Sequence, residues 1–236
     1  MKNALSNSTK TQQIADLVQA CEQFPNNWII CTLSANAQIV NGHIEEATKT
    51  LEQLVTLLPY HYRPMIILAE SYIKLNNKDK ASFYLNKLLQ LFPKQAYINQ
   101  LMAMYNLQNA NFEVALTHIN IAISQGLNTS QTKLIAGLAN YQLESYEQAL
   151  SSFSSLRSNF PNNDYITKMI VATQLKLSNP EAVYNELSGI ELTESNTRMI
   201  AMASLELLKA GAKKESTQLL NKVDIAILIV SVISTY

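Results

Sequence analysis

The sequence predicts an all-α fold, a solenoid of antiparallel helix pairs, and three observations carry that prediction. Ala47, Ala81, Ala115 and Ala149 stand 34 residues apart. Pro25, Pro59 and Pro93 keep the same interval, and Pro161 lies two intervals beyond Pro93, with Leu127 in the slot between. Within one interval the apolar residues recur at helical spacing: Leu68, Ala69 and Tyr72, then Ala81, Leu85 and Leu88, before Pro93 ends the run. A fixed period of this length marks a repeat array, in which each unit buries its apolar face against its neighbours.

The elements follow in order. Residues 1–8 are polar and are expected to be disordered. Residues 9–25 read as a capping helix or a half repeat: Lys10–Phe24 places Leu17, Ala20 and Pro25 where a second helix keeps its apolar pair and closing proline. The array proper covers 26–223 in about six units, four of them close to 28–60, 62–94, 96–128 and 130–162, then about 164–192 and 195–223. Asn26-Asn27, Asn128-Thr129-Ser130 and Asn162-Asn163 precede first helices as N-caps, and Asn76-Asn77 sits in an inner turn. Ser145 with Gln148 reads as a capping box. Pro64 falls in a first helical turn, where a missing N–H costs nothing. In the third unit Gly126 takes the proline's place as a C-cap. Asn179-Pro180-Glu181 starts a short second helix in the fifth unit, and Gly211 marks the inner turn of the sixth. Val183 and Ser216 replace the alanine in these two units, as terminal members of an array are expected to be atypical.

Ile225–Tyr236, within the segment 224–236, is almost unbroken β-branched apolar sequence. It is shorter than the roughly 20 residues a bilayer span needs. It reads as a terminal helix or strand packed over the last unit, with an exposed surface for a partner or for self-association as the alternative.

The units share more than their alanines. The small residue of each first helix is Ala35, Ala69, Ala103 and Gly137. The larger residues after each second-helix alanine are Leu51, Leu85, Ile119 and Phe153, then Leu54, Leu88, Ala122 and Leu156. This pattern resembles the tetratricopeptide repeat, over nearly the whole chain. The family's first-helix tryptophan is absent, and Trp28 opens its unit instead. The resemblance implies a right-handed superhelix and a non-enzymatic scaffold that binds a peptide or helix of a protein partner in a concave groove lined by first helices. Carried over residue by residue, the groove comprises Arg63, Glu70, Tyr97, Gln100, Met104, Gln131, Leu134, Leu138, Tyr141, Tyr165 and Lys168, with Arg198 at the matching place of the sixth unit. Some of these side chains would instead pack against the next helix. Co-chaperone members of the family bind C-terminal carboxylates with a Lys/Asn/Lys/Arg set. The matching positions here hold Thr32 and Asn36, Ile66 and Glu70, Gln100 and Met104, so that clamp is not assembled. The looser units three to six also resemble long repeat proteins linked to bacterial exosortase and exopolysaccharide systems. That implies an accessory domain of a larger envelope protein as an alternative.

Charge and motif content exclude other classes. Eighteen basic side chains balance eighteen acidic ones, and no basic run is present, so nucleic acid is not an expected partner. Dinucleotide, phosphate-loop, zinc-protease and nucleophile-elbow motifs are all missing. His43, His61 and His118 are isolated. No catalytic residue, cofactor or metal is therefore expected. The two cysteines, Cys21 and Cys31, flank the Pro25 break and read as two thiols, with a disulfide across the helix corner as the alternative. The N-terminus has no apolar signal region, which implies a cytoplasmic protein if residue 1 is the natural start.

Overall fold

The computed structural model describes residues 2–190 and 193–223, with side chains for 12–190, 193 and 196–223. Among them are thirteen helices and no strands. Helix α1 spans Lys2–Gln23 and is followed by six pairs: α2 (Trp28–Val40) with α3 (Ile44–Leu57), α4 (Tyr62–Lys74) with α5 (Lys78–Leu91), α6 (Ala96–Gln108) with α7 (Phe112–Ser124), α8 (Ser130–Gln142) with α9 (Tyr146–Asn159), α10 (Asp164–Lys176) with α11 (Pro180–Ser188), and α12 (Glu194–Lys209) with α13 (Lys213–Leu220). The chain is an all-α helical-repeat solenoid. Helix α1 begins inside the segment expected to be disordered; no glycine or proline interrupts Lys2–Gln23 to stop it. The apolar segment Ile225–Tyr236 lies outside the described residues.

One corner geometry joins the two helices of each pair. A residue in the left-handed region follows every first helix: Gly42, Asn76, Ala110, Glu144, Ser178 and Gly211, with φ between 53° and 86°. At five of these corners the next backbone N–H donates to the carbonyl five residues back: His43 to Gln38, Asn77 to Tyr72, Ser145 to Asn140, Asn179 to Gln174 and Ala212 to Leu207, at 2.9–3.1 Å. This bond satisfies a carbonyl that the helix end leaves open.

One expected cap at these corners is corrected. Ser145 makes no side-chain cap bond, so the capping box expected with Gln148 is not formed. Its ψ of 65° departs from the extended conformation of the two capping boxes that do form. Those are Thr129 with Thr132, where ψ is 167°, and Thr193 with Asn196, where ψ is 163°. Asn27, Asn77, Asn163 and Asn179 cap their helices through their side chains. Gly126, at φ +90°, ends α7 while Leu127 N–H bonds to Ala122 O at 3.0 Å.

The chain divides into two compact units. One runs through Ala110 and includes His118–Leu127; the other takes Asn111–Thr117 and the described residues from Asn128 onward. In the first, Ala35, Ala47, Ala69 and Ala81 are fully enclosed with Leu51, Leu68, Leu85 and Leu88. In the second, Ala149, Phe153, Leu156, Ile166 and Ile170 form one cluster, and Val171, Val183, Leu187, Ile200, Leu207 and Leu219 another. Gly137 is held to glycine by packing: a Cβ there would lie 2.6 Å from Phe153 Cε1.

Second helices of consecutive pairs are clasped by polar side chains. Lys80 Nζ and Tyr72 Oη both donate to Glu52 Oε1, at 2.7 and 2.6 Å, tying α5 and α4 to α3. Burial would raise the Glu52 carboxyl, but the bonds from Lys80 and Tyr72 overcome it and hold it below the usual carboxylate value. In the other unit Arg157 of α9 pairs with Glu186 of α11 and donates to Thr167 Oγ1 at 2.9 Å.

Cys21 of α1 and Cys31 of α2 are joined in a disulfide, so the two-thiol reading is corrected. The turn at Pro25-Asn26, closed by Asn27 N–H donating to Phe24 O at 2.9 Å, brings the chain back and leaves the two Cα atoms 4.8 Å apart, within disulfide reach.

His118 of α7 approaches Asn99 Oδ1 through Nδ1 at 2.8 Å. Asn99 Nδ2 donates to Pro93 O and Gln95 O, so its oxygen faces the ring and Nδ1 carries the proton. Burial lowers the pKa of His118 from its ordinary 6.5. The unfolded chain then takes up a proton that the folded chain resists. Its contribution is present above about pH 6.5 and is lost as pH falls through the lowered folded value. Melting temperatures measured from about pH 7.5 to pH 5 should decline in wild type and flatten in His118→Gln.

Candidate functional site

The sequence-derived groove residues fall into the two units. In the first, Arg63 is exposed and lies with its guanidinium carbon 5.7 Å from the Trp28 ring centroid. Glu70 accepts a hydrogen bond from Tyr97 Oη at 2.8 Å and pairs with Lys74 at 2.8 Å. Burial, joined by the Glu70 carboxylate, pushes the Tyr97 phenol above its ordinary value. Both polar ends are thus engaged within the scaffold, tying α6 to α4. Tyr97 and Met104 are half-buried and pack on the core. Gln100 is only 3 % exposed, so it belongs to the interior rather than to an accessible surface.

In the second unit Leu134, Leu138 and Tyr141 are half-buried and pack on the cluster around Phe153. The Tyr141 ring meets Tyr146 edge-on, with centroids 5.6 Å apart. Gln131, Tyr165 and Lys168 are exposed. Tyr165 and Lys168 come together with Arg198 in a cavity of about 560 Å³, completed by Asp164, Asn196, Met199 and Met202. The elements contributing are α10 and α12. Asn163 and the Thr193–Asn196 box fix where each of these helices starts, and so set the register of Tyr165, Lys168 and Arg198.

Other accessible surface was not singled out by the sequence. Ile29, Leu33 and Val40 of α2 are 53 %, 52 % and 83 % exposed. Leu33 and Val40 border a cavity of about 460 Å³ with Ile14 and Leu17 of α1. Spacings of four and seven place the three on one helix face, which was the available signal. A further cavity of about 640 Å³ borders the disulfide and includes Ser34, whose buried hydroxyl has no hydrogen-bond partner among the described residues. Among those residues no helix is long and apolar enough to cross a membrane.

Family models described as tetratricopeptide repeat match residues 62–95 and 131–163. Solved structures with the same fold include a tetratricopeptide repeat protein from Parabacteroides merdae ATCC 43184, 15 % identical over 93 % of this chain and 94 % of that chain, with a TM-score of 0.64. PilW, a widely conserved type IV pilus biogenesis factor, is 16 % identical over 83 % of this chain and 92 % of its own, with a TM-score of 0.68. YrrB, a repeat protein with an unusual peptide-binding site, is 15 % identical over 82 % and 97 %, with a TM-score of 0.62. Among curated proteins none matches the chain significantly.

Proposed function

We infer that this chain, a tetratricopeptide repeat protein and thereby a protein-interaction scaffold, binds a peptide or short helix on the accessible first-helix surface of its repeats. The observation that carries the reading is that each unit leaves apolar and aromatic side chains exposed on first helices: Leu33 and Val40 of α2 in the first, Tyr165 of α10 with Met202 and Leu205 of α12 in the second. Such side chains lose water on contact and suit adaptable recognition. YrrB, with the same repeat fold, has a peptide-binding site.

Arg63, Gln131, Tyr165 and Lys168 are the exposed members of the groove set, so changing them should leave the core intact. A triple variant, Arg63→Ser, Tyr165→Ser and Lys168→Ser, is expected to capture at least about tenfold less of its partner from native-host extract, read by quantitative mass spectrometry. A control with Phe83→Ser and Leu91→Ser, exposed on the second helix α5, should capture as wild type does. Equal capture by wild type and the triple variant would reject the surface.

A second reading concerns the compartment. The Cys21–Cys31 disulfide favours an oxidising one, the setting that the resemblance to envelope-associated repeat proteins implies.

A further inference from the structure

We propose that the cavity between α10 and α12 receives an acidic side chain of a partner peptide, with an apolar residue of that peptide beside it. This rests on the surface reading above and names the partner's chemistry.

Lys168 and Arg198 line the cavity from successive first helices. Both are exposed. Neither takes part in an ion pair among the described residues, whereas Lys74, Lys80, Arg157 and Lys209 are each matched by a carboxylate. Arg63 and Lys87 are seated over aromatic rings. Asp164 is the one acid among the described residues of the lining, and those residues carry a net positive charge. Two cations at one concave site repel each other, and an anion between them relieves the repulsion while drawing field from both.

Apart from Asn196, the rest of the lining is apolar in character. Tyr165 is 49 % and Met202 59 % exposed, and Met199 lies beside them. A volume of about 560 Å³ is far more than one carboxylate fills, leaving room for a neighbouring aliphatic side chain against the adaptable methionines. Among the described residues the lining comes from α10 and α12, and none of them closes an end against which a chain terminus would stop. That favours an internal acidic residue over a terminal carboxylate.

Fluorescence anisotropy with the full chain tests this. The probes are twelve-residue, N-terminally labelled, C-terminally amidated peptides that differ only in a central Glu-Leu, Gln-Leu or Lys-Leu pair, together with a Gln-Leu peptide bearing a free C-terminus. Wild type is expected to bind the Glu-Leu peptide about tenfold tighter than the Gln-Leu peptide. The K168E/R198E variant should lose that preference and favour Lys-Leu. Lys168→Gln, which introduces no new charge, should reduce the preference part-way. Equal binding of Glu-Leu and Gln-Leu by wild type, a preference that survives in K168E/R198E, or tightest binding of the free-terminus peptide would each overturn the proposal. If Gln-Leu binds as well as Glu-Leu and is lost on Tyr165→Ser/Met202→Ser, the acidic specificity is wrong and the surface reading stands. If no peptide binds wild type, both fall.

Discussion

Phe153→Ala is expected to lower the stability of the second unit by about 3–5 kcal/mol, the range for removing a fully buried phenylalanine. Phe153 is 0 % exposed and stands at the centre of the cluster that joins Leu156, Ile166 and Ile170. Gly137 supplies a sharper test. Alanine there gains up to about 1 kcal/mol of helix propensity, but its methyl would sit 2.6 Å from Phe153 Cε1 and 3.0 Å from Cδ1 and Cζ. The ring is fully buried, so overpacking of about 1–3 kcal/mol is expected to outweigh the gain. At the equivalent stations of the earlier pairs, alanine stands with Leu51, Leu85 and Ile119. The glycine and the phenylalanine are therefore one exchange of volume between two positions. Gly137→Ala should destabilise alone and become neutral or stabilising when Phe153→Leu is added. Urea unfolding of the four proteins in a double-mutant cycle checks this. Additive effects would show that the two side chains do not share the space.

Loss of the Cys21–Cys31 bond is expected to be the next largest effect, about 2–3 kcal/mol from the chain-entropy model for a separation of 10 residues. The effect should be local. Hydrogen exchange of residues 12–23 should rise on reduction or in Cys21→Ala/Cys31→Ala, while α4 and α5 keep their protection. Protein taken from its native host with rapid acid quenching and alkylation should carry no label on either cysteine. Labelling of both would place the chain in a reducing compartment and remove the argument for an oxidising one.

The fold was legible because its determinants are local and repeated. Alanine and leucine stations every 34 residues fix where two helices meet, and the asparagine and proline boundaries fix where they stop. The disulfide was not legible, because pairing depends on how the Pro25-Asn26 turn returns the chain, a matter of geometry rather than composition. The Ser145 box failed at the kind of corner where Asn77 and Asn179, with ψ of 87° and 79°, do cap through their longer side chains; the motif S-x-x-Q does not encode that difference in reach. For the candidate surface, periodicity located the first-helix face but could not say how deep each member sits. Gln100 and Tyr97 share that face with Tyr165. Yet Gln100 is buried and Tyr97 is bound to Glu70. Nor could it show that Lys168 and Arg198, distant in sequence, border one cavity.

The left-handed corner bears on how such an array diverges over generations. It is closed by a bond between backbone atoms, which no side chain supplies, so a copied unit keeps its corner whatever residue lands there. Ala110, Glu144 and Ser178 accept that position with positive φ, at about 1–2 kcal/mol each. The first and last pairs described here keep Gly42 and Gly211. The two glycine corners carry no such cost, so alanine at Gly42 or Gly211 would add it while leaving the closing bond in place.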